Sequence, residues 1–407
     1  MRSSGKTSVV IIAVVTAICL LGDSMLYIVL PVYWEQFGLD SLWQVGVLLS
    51  ANRFARLPLG PLVGWLYHRI TKRSGVLLAV IIALVTTWSY GFWHGFWPLL
   101  LMRVLWGVAW SMLRLGGYLT VLDASGENNR GQLLGTYNGL WGIGSLVGML
   151  AGGLLADTVG IPAMCAALSV LTAAGIPFVF KYVPPVIAAV PANPREGDVP
   201  ALPFWKQRGP LFVLLTGLLI STVYFGIYTS TLSKMVAEHL PSGAQLAGIA
   251  VGAATLTGIV QAVRWAWSPF LSPWIGRLSD GRLGRRAVFA GALLGTAFVF
   301  ASLSLPAPFW LWMVLLMVTQ LGNTAVVTLM DALASDEASK TSKVAFMTVY
   351  TTAVDLGSAI GPFAGYLAAG TLGLSGLYAL SGALLAALAL WWAADRRSSA
   401  HFISKGE

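Results

Sequence analysis

The sequence is dominated by apolar runs that are too long for the core helices of a soluble domain. A helix that crosses the hydrocarbon core of a bilayer, about 30 Å thick, needs about 20 mostly apolar residues. Such runs recur from one end of the chain to the other, and of its 407 residues 57% are hydrophobic and 10% are charged. The charged share in an average soluble domain is about 25%. The pattern predicts an all-α integral membrane protein that crosses the bilayer many times.

Hydropathy, with breaks at charge clusters and at Gly, Pro and Asn turns, predicts twelve transmembrane helices. The shortest connections lie at Trp97-Pro98 and at Pro306-Ala307-Pro308, which a helix cannot cross unbroken. The predicted spans are 8–32, 42–67, 74–94, 97–121, 132–156, 160–181, 210–233, 244–271, 286–305, 307–331, 343–369 and 373–394.

The distribution of basic residues predicts the orientation of these spans. With the N-terminus inside, the clusters at 68–73 and 277–286 and the segment 181–208 fall on one side, and only Lys234 falls outside. Cytoplasmic loops carry the excess of Lys and Arg, so both termini are expected in the cytoplasm. We expect a multi-pass protein of the cell membrane, the inner or plasma membrane, of a bacterium. The net charge of +9 follows from this topology and from anionic lipid, so no nucleic-acid partner is expected.

One segment interrupts the hydropathy pattern. Residues 182–209 are rich in Pro and charge, and they separate two stretches of nearly equal length. We predict an N-terminal six-helix bundle at 1–181, a cytoplasmic linker at 182–209, a C-terminal six-helix bundle at 210–395 and a cytoplasmic tail at 396–407. An alternative for the end of the linker, Phe204-Trp205-Lys206, is a position along the membrane surface.

The two halves contain two pairs of matching motifs, and the two copies are separated by almost the same number of residues in each pair. The segment from Gly64 to Arg73 matches the segment from Gly276 to Arg286, 212 residues later by their first glycines (276 − 64). Gly144-Ser145-x-x-Gly148 matches Gly357-Ser358-x-x-Gly361, 213 residues later (357 − 144). Repeats of this kind are typical of transporters with a substrate site near the bilayer midplane, between two halves that move against each other.

Over nearly its whole length the chain resembles the major facilitator superfamily. Gly276, Asp280 and Arg282 resemble that family's loop motif, with one residue inserted after Asp280. In the first-half copy, Gly64, His68 and Arg69, a histidine stands where the motif has an acid. The resemblance implies that this loop helps to hold the outward-open state, and His68 weakens that implication for the first half.

Three further motifs resemble those of proton antiporters in the family. Leu99-x-x-x-Arg103-x-x-Trp106-Gly107 resembles the fourth-helix motif whose arginine is tied to proton coupling, with Trp106 in place of glutamine. Gly144 to Gly153 resembles the fifth-helix antiporter motif, with Met149 in place of its proline, which the second half has as Pro362. Asp23 with Pro31 resembles drug/proton antiporters. These motifs imply export rather than uptake.

Gly148, Gly152, Gly361 and Pro362 are predicted conformational motifs with a role in gating, and helix packing is the alternative. Small residues every four positions let membrane helices approach closely. Gly148 and Gly152 have that spacing, and so do Gly361 and Gly365. Pro362 removes a backbone hydrogen bond in mid-helix and is a candidate flexible point.

The predicted spans contain more positive than negative charge. An arginine at the bilayer centre costs about 2.5–3.5 kcal/mol on insertion scales, so such residues usually face an aqueous pathway or pair with an acid. Five arginines face only two comparably deep acids, Asp23 and Asp355, and the excess indicates an anionic substrate. We predict substrate contacts from four arginines and three tyrosines: Arg53, Arg56, Arg114, Arg264, Tyr27, Tyr224 and Tyr228. We predict that Asp23 and Asp355 are the proton carriers, because arginine stays charged at physiological pH. For Arg103, a role in proton coupling is implied by the resemblance of its motif to that of the fourth helix in proton antiporters.

Depth along each helix places most of these residues at one level. At about 1.5 Å per residue, Asp23, Arg53, Arg56, Tyr224 and Asp355 fall in the middle third of the bilayer. The same count places Arg103 nearer the outside, and Arg114 and Arg264 nearer the cytoplasm. An alternative role for the acids is structural, with Asp23 paired to Arg53 or Arg56 and Asp355 paired to Arg264.

Together these observations predict a proton-coupled exporter, a monomer, that carries an anionic or zwitterionic organic molecule by alternating access. By resemblance to family members, a carboxylate metabolite, an opine-type metallophore or an anionic lipid-like solute are the candidate substrates. The alternatives are a multidrug/proton antiporter and an organic-anion uptake or exchange carrier. No catalytic triad, metal-ligand cluster or phosphate-binding loop is found in the sequence, so neither an enzyme nor a cofactor or metal is expected.

Overall fold

The protein is helical almost throughout in a computed structural model that describes residues 5–124, 130–187, 207–240, 245–246, 249–250, 252–279, 281, 284–339 and 343–403. This confirms the all-α prediction. Two short strands, β1 Gln245–Leu246 and β2 Ile249–Ala250, pair antiparallel. The helices are α1 Gly5–Val32, α2 Leu42–Tyr67, α3 Lys72–Phe92, α4 Phe96–Ala124, α5 Arg130–Val159, α6 Ile161–Tyr182, α7 Arg208–Ser221, α8 Thr229–His239, α9 Ala253–Ser279, α10 Arg285–Ser302, α11 Phe309–Ser339 and α12 Lys343–Ile403.

Many of these helices are suited to a bilayer. Within the described ranges, nine helical segments are long and apolar enough to cross a membrane, and the longest, Phe346–Ala394, contains 49 residues. The helices α2 and α9 are not among the nine; they carry Arg53, Arg56 and Arg264. The count of twelve spans and the cytoplasmic position of both termini remain predictions.

The chain divides into two compact units. Unit 1 contains residues 1–193 and 232–262, and unit 2 contains residues 194–231 and 263–407. Residues 232–262, which the sequence assigned to the second bundle, therefore group with the first unit. Most of the predicted linker at 182–209 lies outside the described residues.

In unit 1, α5 lies against α1 along a row of glycines. A Cβ atom on Gly148 would stand 2.8 Å from the backbone oxygen of Leu21, which is closer than real Cβ contacts. Gly144 faces the backbone of Ala17 in the same way, and Gly152 faces Met25. The absence of side chains at these positions is what allows the two helices to touch.

In unit 2, α12 packs in the same way, through glycines, against α7 and the turn Thr222–Tyr228 that follows it. Gly357 faces the backbone oxygen of Leu218, and Gly361 meets Gly226 backbone to backbone. Pro362 is buried beside this contact. The glycines of the antiporter-like motif are therefore helix-packing residues in both units.

Two other features recur 213 residues apart. Gly160 separates α5 from α6 with a φ of 81°, and Gly373 interrupts α12 with a φ of 72°, a backbone conformation that favours glycine. Lys72 at the start of α3 pairs with Asp123 near the end of α4, and Arg285 at the start of α10 pairs with Asp336 near the end of α11 at 2.5 Å. The repeat predicted from two motifs thus extends to turns and ion pairs.

Between α7 and α8 the helix widens into a π-helical turn, Thr222–Tyr228. The hydroxyl of Thr229 donates to the backbone oxygen of Tyr224, five residues earlier, at 2.8 Å. Gly226, at the centre of this turn, is the residue that meets Gly361. Such turns are rare and are frequently found at functional sites, and hydropathy gave no indication of this one.

The carboxylate of Asp157, at the end of α5, holds the start of α9 within unit 1. It accepts from the Thr255 hydroxyl at 2.6 Å and from the Thr255 backbone N–H at 2.9 Å, and an aspartate is favourable at a helix N-terminus. The Tyr33 hydroxyl donates to its other oxygen at 2.5 Å. Burial, with the hydrogen bond to this carboxylate, raises the pKa of Tyr33 above its usual range, so the phenol remains a donor.

We expect Gly148→Leu to destabilise the protein and Gly139→Leu, on the same helix, to leave it nearly unchanged. A side chain at Gly148 collides with the backbone of Leu21, whereas a Cβ on Gly139 meets nothing within 4 Å. Overpacking of this kind costs about 1–3 kcal/mol, occasionally more. Thermal unfolding of the purified variants in detergent measures the difference, and equal melting temperatures would show that the α1–α5 contact is not tight.

Candidate functional site

The most deeply placed charges of unit 1 form one ion pair between α1 and α4. Asp23 accepts a short charge-assisted hydrogen bond from Arg103, whose side chain is 1% exposed while that of Asp23 is 12% exposed. The amide of Asn52 on α2 donates to the same carboxylate oxygen at 3.2 Å. Arg103 Nε donates to the backbone oxygen of Leu48 at 2.8 Å, so the pair ties three helices together.

This pairing corrects one expectation from the sequence. The structural alternative for Asp23 named Arg53 or Arg56 as its partner, and the partner is Arg103. The position of Arg103 nearer the outside than Asp23 stays a prediction.

Tyr27 lies beside two arginines of unit 1. The centre of its ring is 5.9 Å from the guanidinium carbon of Arg103 and 5.3 Å from that of Arg53. The ring is buried, and the Tyr27 hydroxyl donates to the backbone oxygen of Leu49 at 3.4 Å. The role of Tyr27 as a substrate contact stays a prediction.

The remaining arginines of unit 1 are half-buried. Arg53 and Arg56 lie on α2, one turn apart, and Arg114 lies on α4, where its Nε donates to the Tyr118 hydroxyl at 3.4 Å. The Arg114 guanidinium is also 5.7 Å from the centre of the Tyr118 ring. The side chains of these three arginines are partly exposed, which allows a substrate to reach them.

In unit 2, Arg264 on α9 lies against two aromatic rings. Its guanidinium carbon is 5.0 Å from the centre of the Phe225 ring and 5.6 Å from that of Trp265. Across the part of the chain that the structure describes, Arg264 forms no ion pair. The expected pairing of Arg264 with Asp355 is therefore not observed, and Asp355 lies half-buried on α12.

Tyr224 and Tyr228 of the π-helical turn form part of a packed aromatic layer. Both rings contact Phe300, at centroid distances of 5.8 Å and 5.6 Å, and Phe300 stacks on Tyr378 at 5.3 Å. Both tyrosines are fully buried. They were predicted as substrate contacts, which stays a prediction. Phe225, from the same turn, contacts Arg264.

A polar row on α11 fixes the register between α9 and α11. The indole N–H of Trp267 donates to the Thr324 hydroxyl at 3.2 Å, and the Thr328 hydroxyl donates to Ser272 at 3.0 Å. Asn323, in the same row, is 0% exposed and neither of its amide atoms has a hydrogen-bond partner. An unsatisfied buried amide is costly, so Asn323 is a candidate ligand-binding group that the sequence could not separate from ordinary interhelical contacts.

The two predicted loop motifs, which begin at Gly64 and at Gly276, lie at the ends of α2 and α9. Cβ atoms on Gly64 and Gly276 would meet nothing within 4 Å, so these glycines are not needed for packing. His68 and Arg69 are exposed, and Arg69 lies 4.2 Å above the Trp65 ring. Asp280 and Arg282 lie outside the described residues. In the described ranges no group of three or more His, Cys, Asp or Glu side chains is arranged to hold a metal.

Comparison with known proteins identifies similar sequences among membrane transporters. The family model described as "Major Facilitator Superfamily" matches residues 12–268 and 266–407. The multidrug resistance protein MdtG of Citrobacter koseri is 24% identical over 383 residues, covering 90% of each chain. The quinolone resistance protein NorA of Staphylococcus aureus is 26% identical over 137 residues, covering 34% of this chain and 35% of NorA.

Solved structures of transporters share the fold. A bacterial homolog of the human lysosomal transporter Spinster, in an inward-facing and occupied conformation, superposes with a TM-score of 0.76 at 14% identity, covering 98% of both chains. The nucleoside transporter NupG superposes with a TM-score of 0.74 at 13% identity, covering 96% of this chain and 99% of NupG. At these identities the likeness concerns the fold alone.

We expect Asp23→Asn to cost about 3–5 kcal/mol of unfolding free energy, because it leaves the guanidinium of Arg103 buried without a counter-charge. The matched control is Asp336→Asn, which breaks a pair whose side chains are 32% and 48% exposed. Such a surface pair contributes about 0–1 kcal/mol. Denaturant titration in detergent micelles measures both, and the double variant Asp23→Asn with Arg103→Gln should recover much of the loss. Equal losses in the two single variants would contradict the burial of the Asp23 pair.

Proposed function

The chain belongs to the major facilitator superfamily, and we propose that it is a proton-coupled exporter of an anionic or zwitterionic organic molecule. Its family consists of transporters and not of enzymes, and its apolar helices make it a multi-pass membrane protein. Within that family the substrate and the coupling ion depend on the side chains of the individual protein.

The surroundings of Arg264 carry the proposal for the substrate. A guanidinium that lies between aromatic rings, and that forms no ion pair among the described residues, can bind a carboxylate or phosphate through two parallel hydrogen bonds. The flat rings of Phe225 and Trp265 favour an apolar body attached to that anion. The half-buried Arg53, Arg56 and Arg114 add further positive charge in unit 1.

The ion pair between Asp23 and Arg103 supports proton coupling. Arginine stays charged at any physiological pH, so only the aspartate can release or accept a proton. Protonation of Asp23 leaves Arg103 as a buried cation without its counter-charge, which is costly enough to favour a different arrangement of α1, α2 and α4. Asp355 is the second candidate proton carrier. We assign to Arg103 the role of the counter-charge of Asp23.

Export and topology complete the proposal. Relatives named as multidrug and quinolone resistance proteins favour outward transport. The distribution of Lys and Arg favours twelve spans with both termini in the cytoplasm. The proposed transporter works as a monomer. The loop segments at Gly64, His68 and Arg69 and at Gly276, Asp280 and Arg282 are the proposed conformational motifs.

A multidrug/proton antiporter is the second candidate, because the relatives MdtG and NorA are named as a multidrug and a quinolone resistance protein. A cationic drug needs an available acid, and Asp23 already accepts from Arg103 and Asn52. Resistance profiling of an expressing strain separates the two, since the second candidate predicts protection against several cationic compounds. An organic-anion uptake or exchange carrier would instead be insensitive to an imposed pH gradient.

We expect anionic metabolites with an apolar body to raise the melting temperature of the purified protein, and Arg264→Ala to abolish that rise. A ligand at 100 times its dissociation constant adds about 2.7 kcal/mol to the stability of the folded state. Arg286→Ala is the matched control, because Arg286 is also an arginine of unit 2 that lies over an aromatic ring, 5.9 Å from that of Trp392. Stabilisation by cationic compounds alone, or an unchanged rise in Arg264→Ala, would contradict an anion site at Arg264.

We expect Asp23→Asn to abolish transport driven by a pH gradient in liposomes, since asparagine cannot carry a proton. Asp355→Asn tests the second candidate carrier in the same assay, and Asp336→Asn, whose aspartate belongs to an exposed pair, should transport normally. Undiminished pH-driven transport in both Asp23→Asn and Asp355→Asn would refute the proposed coupling.

A further inference from the structure

The outer surface of unit 2 contains an open apolar groove between α9, α10 and α11, with a volume of about 560 Å³. Apart from Thr296, every residue that lines it is apolar. The Thr296 hydroxyl donates to the backbone oxygen of Ala292 at 2.6 Å, so it has no need of a partner in the groove. The anion site at Arg264 does not contribute to this α9–α11 groove.

Each helix contributes one stripe of residues at helical spacing. Leu271, Trp274 and Leu278 on α9 are three and four positions apart, and Trp274 is 57% exposed. The stripe on α10, formed by Ala292, Gly295 and Val299, has the same spacing. The stripe on α11, formed by Leu321, Ala325 and Leu329, has a spacing of four positions.

Small residues give the groove its depth. A Cβ atom on Gly295 would meet nothing within 4 Å, so this glycine borders open space. Gly322, on α11, packs instead against the side chain of Thr296, which brings α10 and α11 together at the floor. Gly295 is therefore the position at which a larger side chain would fill the groove without moving a helix.

The dimensions and chemistry of the groove fit a lipid acyl chain. Water would find no hydrogen-bond partner on these walls, and an empty apolar space loses dispersion contacts. Along α10 the groove runs from Val288 to Val299, 11 residues (299 − 288) or about 16 Å, which is about half of a hydrocarbon core 30 Å thick. A single acyl chain from one leaflet matches that length.

The end of the groove at Leu278 and Val288 carries a suitable positive charge. Arg277 is exposed there, its Nε donates to the backbone oxygen of Pro273 at 3.4 Å, and it forms no ion pair with any residue that the structure describes. The nearby Arg285 is already paired with Asp336. Arg277 is therefore a candidate cation for a phosphate at this end of the groove, on the side that the distribution of basic residues assigns to the anionic cytoplasmic leaflet.

We propose that the α9–α11 groove is a binding site for an anionic phospholipid, with one acyl chain between the three helices and the phosphate at Arg277. The site concerns the bilayer and is independent of the transported substrate. Its two parts, the apolar groove and the cation at its end, make separate predictions.

Native mass spectrometry of the purified protein with phosphatidylglycerol tests the groove. The wild-type protein should retain one tightly bound lipid, Gly295→Leu should lose it, and Gly291→Leu should retain it. Gly291 is the matched control, because it lies one turn earlier on α10, also borders open space and does not line the groove. Ala325→Leu fills the groove from α11 and provides a second test if Gly295→Leu does not fold. Retention of the lipid in a folded groove-filling variant would overturn the proposal.

Competition between phosphatidylglycerol and phosphatidylcholine tests the charge. A basic residue near an anionic lipid surface contributes about 1 kcal/mol, so Arg277→Gln should lower the preference for phosphatidylglycerol about fivefold. The variant should still bind lipid, because the acyl chain site is unchanged. An equal preference for the two lipids in the wild-type protein, or an unchanged preference in Arg277→Gln, would overturn the assignment of an anionic headgroup.

Discussion

The ion pair between Asp23 and Arg103 is the interaction on which the charged interior of unit 1 depends. A guanidinium that is 1% exposed within an apolar bundle requires a counter-charge, and Asp23 supplies it while Asn52 and the backbone of Leu48 orient both groups. In the proposed coupling arginine keeps its charge, so the change of protonation falls on Asp23. The cost of an unpaired Arg103 would link that proton to the arrangement of three helices.

The second constraint is the close contact of helices through glycine, which appears twice. Gly148 on α5 meets Leu21 on α1, and Gly361 on α12 meets Gly226 in the π-helical turn. The second contact occurs where the helix between α7 and α8 has an extra residue in its turn, and the same turn presents Phe225 to Arg264. Packing and candidate ligand binding are therefore coupled in unit 2, since a side chain at Gly361 would displace the backbone that carries Phe225.

The fold was predictable from the sequence to the extent that it depends on hydropathy and on internal repeats. Apolar runs predicted the helices, and two motif matches predicted an internal repeat. The structure shows the same repeat in the glycine turns at Gly160 and Gly373 and in the ion pairs formed by Lys72 and Arg285. The partner of Asp23 was not predictable, because it depends on which helices are neighbours and on the reach of a long side chain. The π-helical turn has no hydropathy signal, and so the burial of Tyr224 and Tyr228 was missed as well. Asn52 was visible in the sequence as a polar residue within an apolar span, but its contact with Asp23 depends on which helices are neighbours.

The central claim is that Asp23 takes up a proton while Arg103 remains charged. Infrared difference spectroscopy of the protein in lipid, between high and low pH, detects the protonated carboxyl group directly, and Asp23→Asn identifies its band. The account predicts a protonated-carboxyl band that appears in the wild-type protein as the pH falls and is missing from the variant. Wild-type and variant spectra that coincide over the whole pH range in which transport operates would contradict it.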